Sequence, residues 1–234
     1  MIVLPDQRLV FLHIHKNAGS SVRSFLKRLG EETLSKTWKN ENFRGHVNYR
    51  DMVKAAPELA QFQAFAISRN PWSRLVSAYE WWKSKPDTRQ GITQARVAFL
   101  GSFSEFVDLL FATLEKSRSD PALATKLHGV EAHSKLRLQP DCALYASQHS
   151  YLIDQAGHVV VDVVPIEQLS EALPAYLSEK LGRPVRWRPF ERNRNAKGDW
   201  RRYYTDDTAE KVGALFAADA ALLGYSFDQA TVAL

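Results

Sequence analysis

Cysteine occurs once in this chain of 234 residues, at Cys142, which excludes an intrachain disulfide and leads us to expect a reducing compartment. No apolar run approaches the ~18–20 residues that a membrane-spanning helix needs. The first residues, MIVLPDQRLVFLHIHK, lack a basic segment followed by a clean apolar one, so no secretory leader is expected. The glycine-lysine loop of nucleoside-triphosphate enzymes, G-x-x-x-x-G-K-[ST], is missing, and so is the G-x-G-x-x-G dinucleotide loop. Zinc-finger spacing, an aromatic RNA-binding signature and a long basic helix are missing too, so nucleic acid is not an expected partner. Internal repeats and low-complexity linkers are also absent. These absences lead us to expect a soluble, cytoplasmic chain folded as one domain over residues 1–234.

What is present is ordinary in bulk and unusual in detail. Hydrophobic residues make up 45% and charged residues 24%, values of a globular protein with a sizeable core. Lysine and arginine number 31 against 26 acids, a net charge of +5. Arginines crowd two places, residues 69–74 and the stretch RWRPFERNRNAKGDWRRYY from Arg186 to Tyr204. Such crowding suits either a solvated basic surface or an anionic ligand, because a guanidinium offers planar two-point hydrogen bonding to phosphate or sulfate.

The hydrophobic pattern predicts strands alternating with helices. A strand over about 8–14 leads to a helix over 20–29, and a polar, irregular stretch follows through 31–48. A short helix near 49–56 precedes a strand at Gln63–Ser68 and a helix from about Trp72 to Lys83. Phe103, Phe106, Val107, Leu110, Phe111 and Leu114 recur at helical spacing, with Ser102 as an N-cap. DQAG at 154–157 reads as a turn between extended runs at 151–153 and 159–164. Helices are expected over Glu167–Leu181, stopped by Gly182, and from Thr205 to about Leu223, stopped by Gly224. The predicted fold class is therefore α/β, a central parallel sheet flanked by helices.

Two strand-to-helix turns carry the chemistry. In the first, FLHIHKNAGSSV at 11–22, an apolar strand breaks into Lys16, Asn17, Ala18, Gly19, Ser20 and Ser21 before helical spacing resumes at Val22. Main-chain N–H groups at such a turn, with the positive end of the following helix, suit a phosphate-like group. Gly19 permits close backbone approach, the serines cap the helix or donate to a ligand oxygen, and Lys16 adds a mobile cation. The same residues would also serve an ordinary helix start. The second turn, FAISRNPWSRLVSAYEW at 65–81, repeats the plan: Arg69 stands at the strand exit, Pro71 opens the helix and Ser77 follows two turns later. Two such turns describe a ligand with two separated phosphate groups.

HIHKNAGSS and SRNPWSRLVSAY resemble the paired signatures of sulfotransferases that use 3′-phosphoadenosine 5′-phosphosulfate. The first is similar to that family's 5′-phosphosulfate loop, commonly HIPKTGGTS, and the second to its 3′-phosphate motif, RNPxxRLxSxY. The resemblance is to the Golgi-type carbohydrate sulfotransferases and their soluble bacterial relatives. It continues in GHVNYRDM at 45–52, in SQHSYLIDQAGHVVVDVVPIEQL at 147–169 (with Gln148, Gly157, Asp162 and Glu167 in register), in the stretch around Asn193 and in the closing FAADAALLGYSF. The chain departs from the family pattern with His15 for proline and Ala18 for glycine.

The resemblance implies a P-loop-like nucleotide-binding fold and transfer of a sulfuryl group to a hydroxyl acceptor on a carbohydrate, in a bacterial cytoplasm. Lys16 would face the bridging oxygen of the leaving group, as proton donor or as counter-charge. Lys16, Asn17, Ala18, Gly19, Ser20 and Ser21 would bind the 5′-phosphosulfate, and Arg69 and Ser77 the 3′-phosphate. His46 would take the acceptor proton, with Glu41 or Asp51 in reserve. No metal is expected, although His13 and His15 lie two apart on one strand. The Arg186–Tyr204 segment is expected to fold over donor or acceptor. Two other readings are a small-molecule kinase, which lacks its GK[ST] loop, and a non-catalytic module that binds sulfated glycans through arginines.

Overall fold

The structure, a computed structural model, describes residues 1–29, 46–84, 102–119, 146–187 and 198–228. Cys142, Glu41, Asn193 and most of the basic Arg186–Tyr204 segment lie outside the described residues. The chain divides into two compact units, Met1–Arg69 with Gln148–Arg192, and Asn70–Ser147 with Asn193–Leu234.

The first unit is built on a four-stranded sheet in the order β1 (Ile2–Leu4), β2 (Leu9–Leu12), β3 (Gln63–Ser68), β4 (Val161–Pro165). β2, β3 and β4 run parallel, as expected, and β1 pairs antiparallel with β2, so the sheet is mixed rather than wholly parallel. The short stretch Pro5–Arg8 is the reason: Arg8 N–H donates to the Pro5 carbonyl at 3.0 Å and its φ of 48° turns the chain straight back. One face of the sheet presents Ile2, Leu4, Leu9, Phe11, Phe65, Ile67 and Val164. Against it pack Val22, Phe25 and Leu26 of α1 (Gly19–Arg28), and Leu173 and Leu177 of α6 (Leu169–Leu181). Burial explains why β2 reads as an unbroken apolar run. The strand stops at Leu12, short of the expected residue 14: its pairing with β3 ends there, and the turn begins at His15.

α2 (Tyr49–Ala55) begins at Asn48, whose side chain accepts from Asp51 N–H at 2.9 Å. Residues 149–152 form a single helical turn, α5 (His149–Leu152), where an extended run was expected; only Ile153 bridges to Val159 across the DQAG turn. α6 starts at Leu169, after a 3-10 turn at Ile166–Gln168, and Gly182 caps it at φ 62°.

The second unit is helical: α3 (Pro71–Lys83), α4 (Phe103–Ser119), α7 (Asp206–Leu215) and α8 (Ala217–Leu223), with a 3-10 turn at Trp200–Tyr203. Its core joins Trp72, Leu75, Val76 and Tyr79 to Phe103, Phe106, Val107, Leu110, Val212 and Phe216. The last helix is broken rather than continuous to Leu223. Phe216 leaves helical geometry at φ −113°, ψ 28° with its ring buried in that core. Trp72 is a core residue, and its indole N–H donates to the Ala209 carbonyl at 2.8 Å.

Candidate active site

Because β2 and β3 are parallel neighbours, the turns that follow Leu12 and Ser68 leave the same end of the sheet. The crevice outside the carboxyl ends of parallel strands is where open α/β sheets bind ligands. Lys16 and Ala18 both adopt left-handed backbone conformations, at φ 67° and φ 55°. Alternation of left- and right-handed residues makes a concave main-chain arrangement suited to anions. α1 then opens with no side-chain cap and no acid in its first turn. Its positive end is therefore available to an anion, and the donor set fits a phosphate or sulfate.

The individual side chains take distinct positions. Ser20 is exposed, Ser21 and Lys16 are half-buried, and Asn17 is buried. The Asn17 amide turns inward, donating to the Ile67 carbonyl at 2.7 Å and to Gln148 Oε1 at 2.6 Å. At Gly19 the close neighbour is a side chain: the His13 ring fills the space where a Cβ at position 19 would stand. Arg69, from the second turn, reaches the first: its Nη1 donates to the Lys16 carbonyl at 3.1 Å. Ser77 lies half-buried on α3 and belongs to the second unit.

His46 also joins this group. Its Nδ1 lies 2.6 Å from the His13 carbonyl. A carbonyl only accepts, so Nδ1 carries the proton and Nε2 holds the lone pair of the neutral ring. The ring stacks on His15 and packs against His13 at a centroid distance of 4.2 Å. His13 is held neutral: burial, then the nearby His46, the chain's amino group and Arg23, lower its pKa from 6.5 to about 2. Three imidazoles thus meet at one strand end, yet no group of three or more ligating side chains suited to a metal ion occurs among the described residues. Asp51 stands in the first turn of α2, and burial raises its pKa.

The residue that motif reading left without a role is Gln148. It is fully buried. Its Oε1 accepts from Arg69 N–H at 3.0 Å as well as from Asn17, and its Nε2 donates to the Arg69 carbonyl at 2.7 Å. The only sequence signal for it was its register within the stretch 147–169.

Residues 1–151, more than half of the chain, match a family model described as the sulfotransferase family. No curated protein and no solved structure matches the chain. No helix among the described residues is long and apolar enough to cross a membrane.

Proposed function

The chain belongs to the sulfotransferase family, and from that premise we propose that it transfers the sulfuryl group of 3′-phosphoadenosine 5′-phosphosulfate to a hydroxyl of a carbohydrate acceptor. The observation that carries this reading is the bond from Arg69 to the Lys16 carbonyl, because it joins the two anion-binding turns at one end of the sheet. The turn Lys16–Ser21 receives the 5′-phosphosulfate through main-chain N–H groups, the positive end of α1 and the Ser20 and Ser21 hydroxyls. Asn17 contributes through its main chain, its amide being engaged below. Arg69, with Ser77 eight residues along the RNPWSRLVSAY motif, takes the 3′-phosphate.

In the reaction the acceptor oxygen forms a bond to sulfur while the bond from sulfur to the bridging oxygen of the 5′-phosphate breaks. His46 Nε2 accepts the hydroxyl proton, as its tautomer allows. Lys16 faces the bridging oxygen, where it donates a proton or offsets the developing charge. The product nucleotide is 3′-phosphoadenosine 5′-phosphate. A Golgi-type relationship, a P-loop-like nucleotide site without a metal, a single sulfotransferase domain over 1–234 and a bacterial cytoplasmic setting belong to the same proposal.

Calorimetric titration of 3′-phosphoadenosine 5′-phosphate against 5′-AMP and ATP tests it, with Arg69→Ala alongside. The expected result is a clear preference for the 3′-phosphorylated nucleotide that Arg69→Ala abolishes. Equal affinity for all three nucleotides would refute the reading, and preference for ATP would favour a kinase.

A further inference from the structure

We infer that Gln148 is a positioning residue that sets the spacing between the two anion-binding turns, and so sets selectivity for a nucleotide bearing both a 5′- and a 3′-anionic group. The inference rests on the proposed function. Three hydrogen bonds carry it: Asn17 Nδ2 to Gln148 Oε1, Arg69 N–H to the same oxygen, and Gln148 Nε2 to the Arg69 carbonyl. One side chain thereby grips the first turn by a side-chain amide and the second by both main-chain groups of its arginine. Gln148 itself is fully buried, and its partners lie 131 and 79 residues away in sequence.

The bonds to Arg69 are directional at both ends. They fix the peptide units on either side of its Cα, and hence where the side chain leaves the strand. The same Asn17 Nδ2 also donates to the Ile67 carbonyl near the end of β3, so both turns are referred to the same strand. Arg69 Nη1 then closes the loop on the Lys16 carbonyl. A ligand that uses only one turn gains little from this frame. A ligand that bridges both gains the full benefit of their fixed separation, as pre-organised sites do.

The test uses Gln148→Met, which keeps length and removes all three bonds, and Gln148→Glu, which keeps the acceptor and removes the donor. Affinities for 3′-phosphoadenosine 5′-phosphate and for 5′-AMP are measured by calorimetry, well below each variant's thermal midpoint. The expected result is a fall of about ten- to hundredfold in the ratio of the two affinities, with 5′-AMP binding to Gln148→Met little changed. Steady-state kinetics should show KM for the sulfuryl donor rising more than kcat falls. A purely structural role would lower the midpoint and leave the ratio alone, which would overturn the inference. Should Gln148→Met not fold, the ratio in Gln148→Leu, which is uncharged and likewise lacks all three bonds, decides in the same way. A native protein that does not discriminate between the two nucleotides would overturn the proposed function and this inference together.

Discussion

Ala18 stands at φ 55°, ψ 12° directly before α1, a left-handed conformation in which the Cβ of an L-residue crowds the following carbonyl. Holding alanine there costs about 1–2 kcal/mol. Glycine removes that cost because it has no Cβ. Glycine also widens the unfolded ensemble, which offsets about 0.4–1 kcal/mol of the gain. Ala18→Gly is therefore expected to stabilise the protein by roughly 1 kcal/mol. In a chain of this length, about 1 kcal/mol moves the thermal midpoint by about 2–4 °C. The adjacent residue supplies a control of opposite sign. Gly19 is not at positive φ, but a Cβ there would overlap the His13 ring, so Gly19→Ala is expected to lose about 1–3 kcal/mol through overpacking. Urea and thermal unfolding of the two variants at neutral pH provide the assay. A midpoint for Ala18→Gly at or below that of the native chain would refute the strain argument.

Three further outcomes are expected. Lys16→Met should lower kcat by about 10²–10³ in a sulfuryl-transfer assay, the loss typical of a single group that stabilises transition-state charge; a drop under about tenfold would remove Lys16 from the chemistry. His46→Ala should lower kcat by about 10²–10⁴ while calorimetric affinity for 3′-phosphoadenosine 5′-phosphate stays constant; unchanged turnover would pass the base role to a carboxylate such as Asp51. His13 should make stability depend on pH. Unfolded, its ring takes a proton below about 6.5, whereas in the folded protein it resists protonation down to about 2. Its contribution is therefore complete above about pH 6.5 and declines by up to about 1.4 kcal/mol per pH unit below it. Urea midpoints of the native chain and His13→Leu, compared from neutral pH downward, should diverge in slope, and parallel slopes would refute the assignment.

The parts of the fold legible in the sequence were those with local causes. β3 was readable at Gln63–Ser68 because an apolar run ends there in Arg-Asn-Pro, and Pro71 opens α3 where its missing N–H does no harm. α1 was readable from Val22, Phe25 and Leu26 at helical spacing. β1 was not, since three apolar residues before a Pro-Asp turn carry no period and become a strand only by pairing with β2. The break at Phe216 was hidden for a similar reason: the apolar spacing continues through it, and tertiary burial of one ring decides the geometry. In the candidate site, the two strand-to-helix turns are legible from residue type alone. The contacts that organise them are not. His46 meets the His13 carbonyl across 33 residues, and Gln148 meets Asn17 across 131. A single imidazole or amide in a polar stretch has no periodicity and no local partner to reveal it.

The choice of amides for those contacts follows from what the site must keep. Neither FLHIHKNAGSSV nor FAISRNPWSRLVSAY contains an acid, so both turns present cations without a carboxylate of their own. A carboxylate at position 148 could still accept from Asn17 Nδ2 and from Arg69 N–H. It would place a negative charge under the two turns proposed to bind anions, where a pair of charges about 4 Å apart interacts by about 4 kcal/mol at an effective dielectric of 20. It would also face the Arg69 carbonyl with an oxygen in place of a donor. Glutamine supplies acceptor and donor together and adds no charge, so the turns are tied while the field at the strand ends stays positive. Gln148→Glu should accordingly weaken 5′-AMP binding through charge as well as altering selectivity through geometry, whereas Gln148→Met should do only the second. The difference between the two variants separates the electrostatic part of the amide's role from the geometric part.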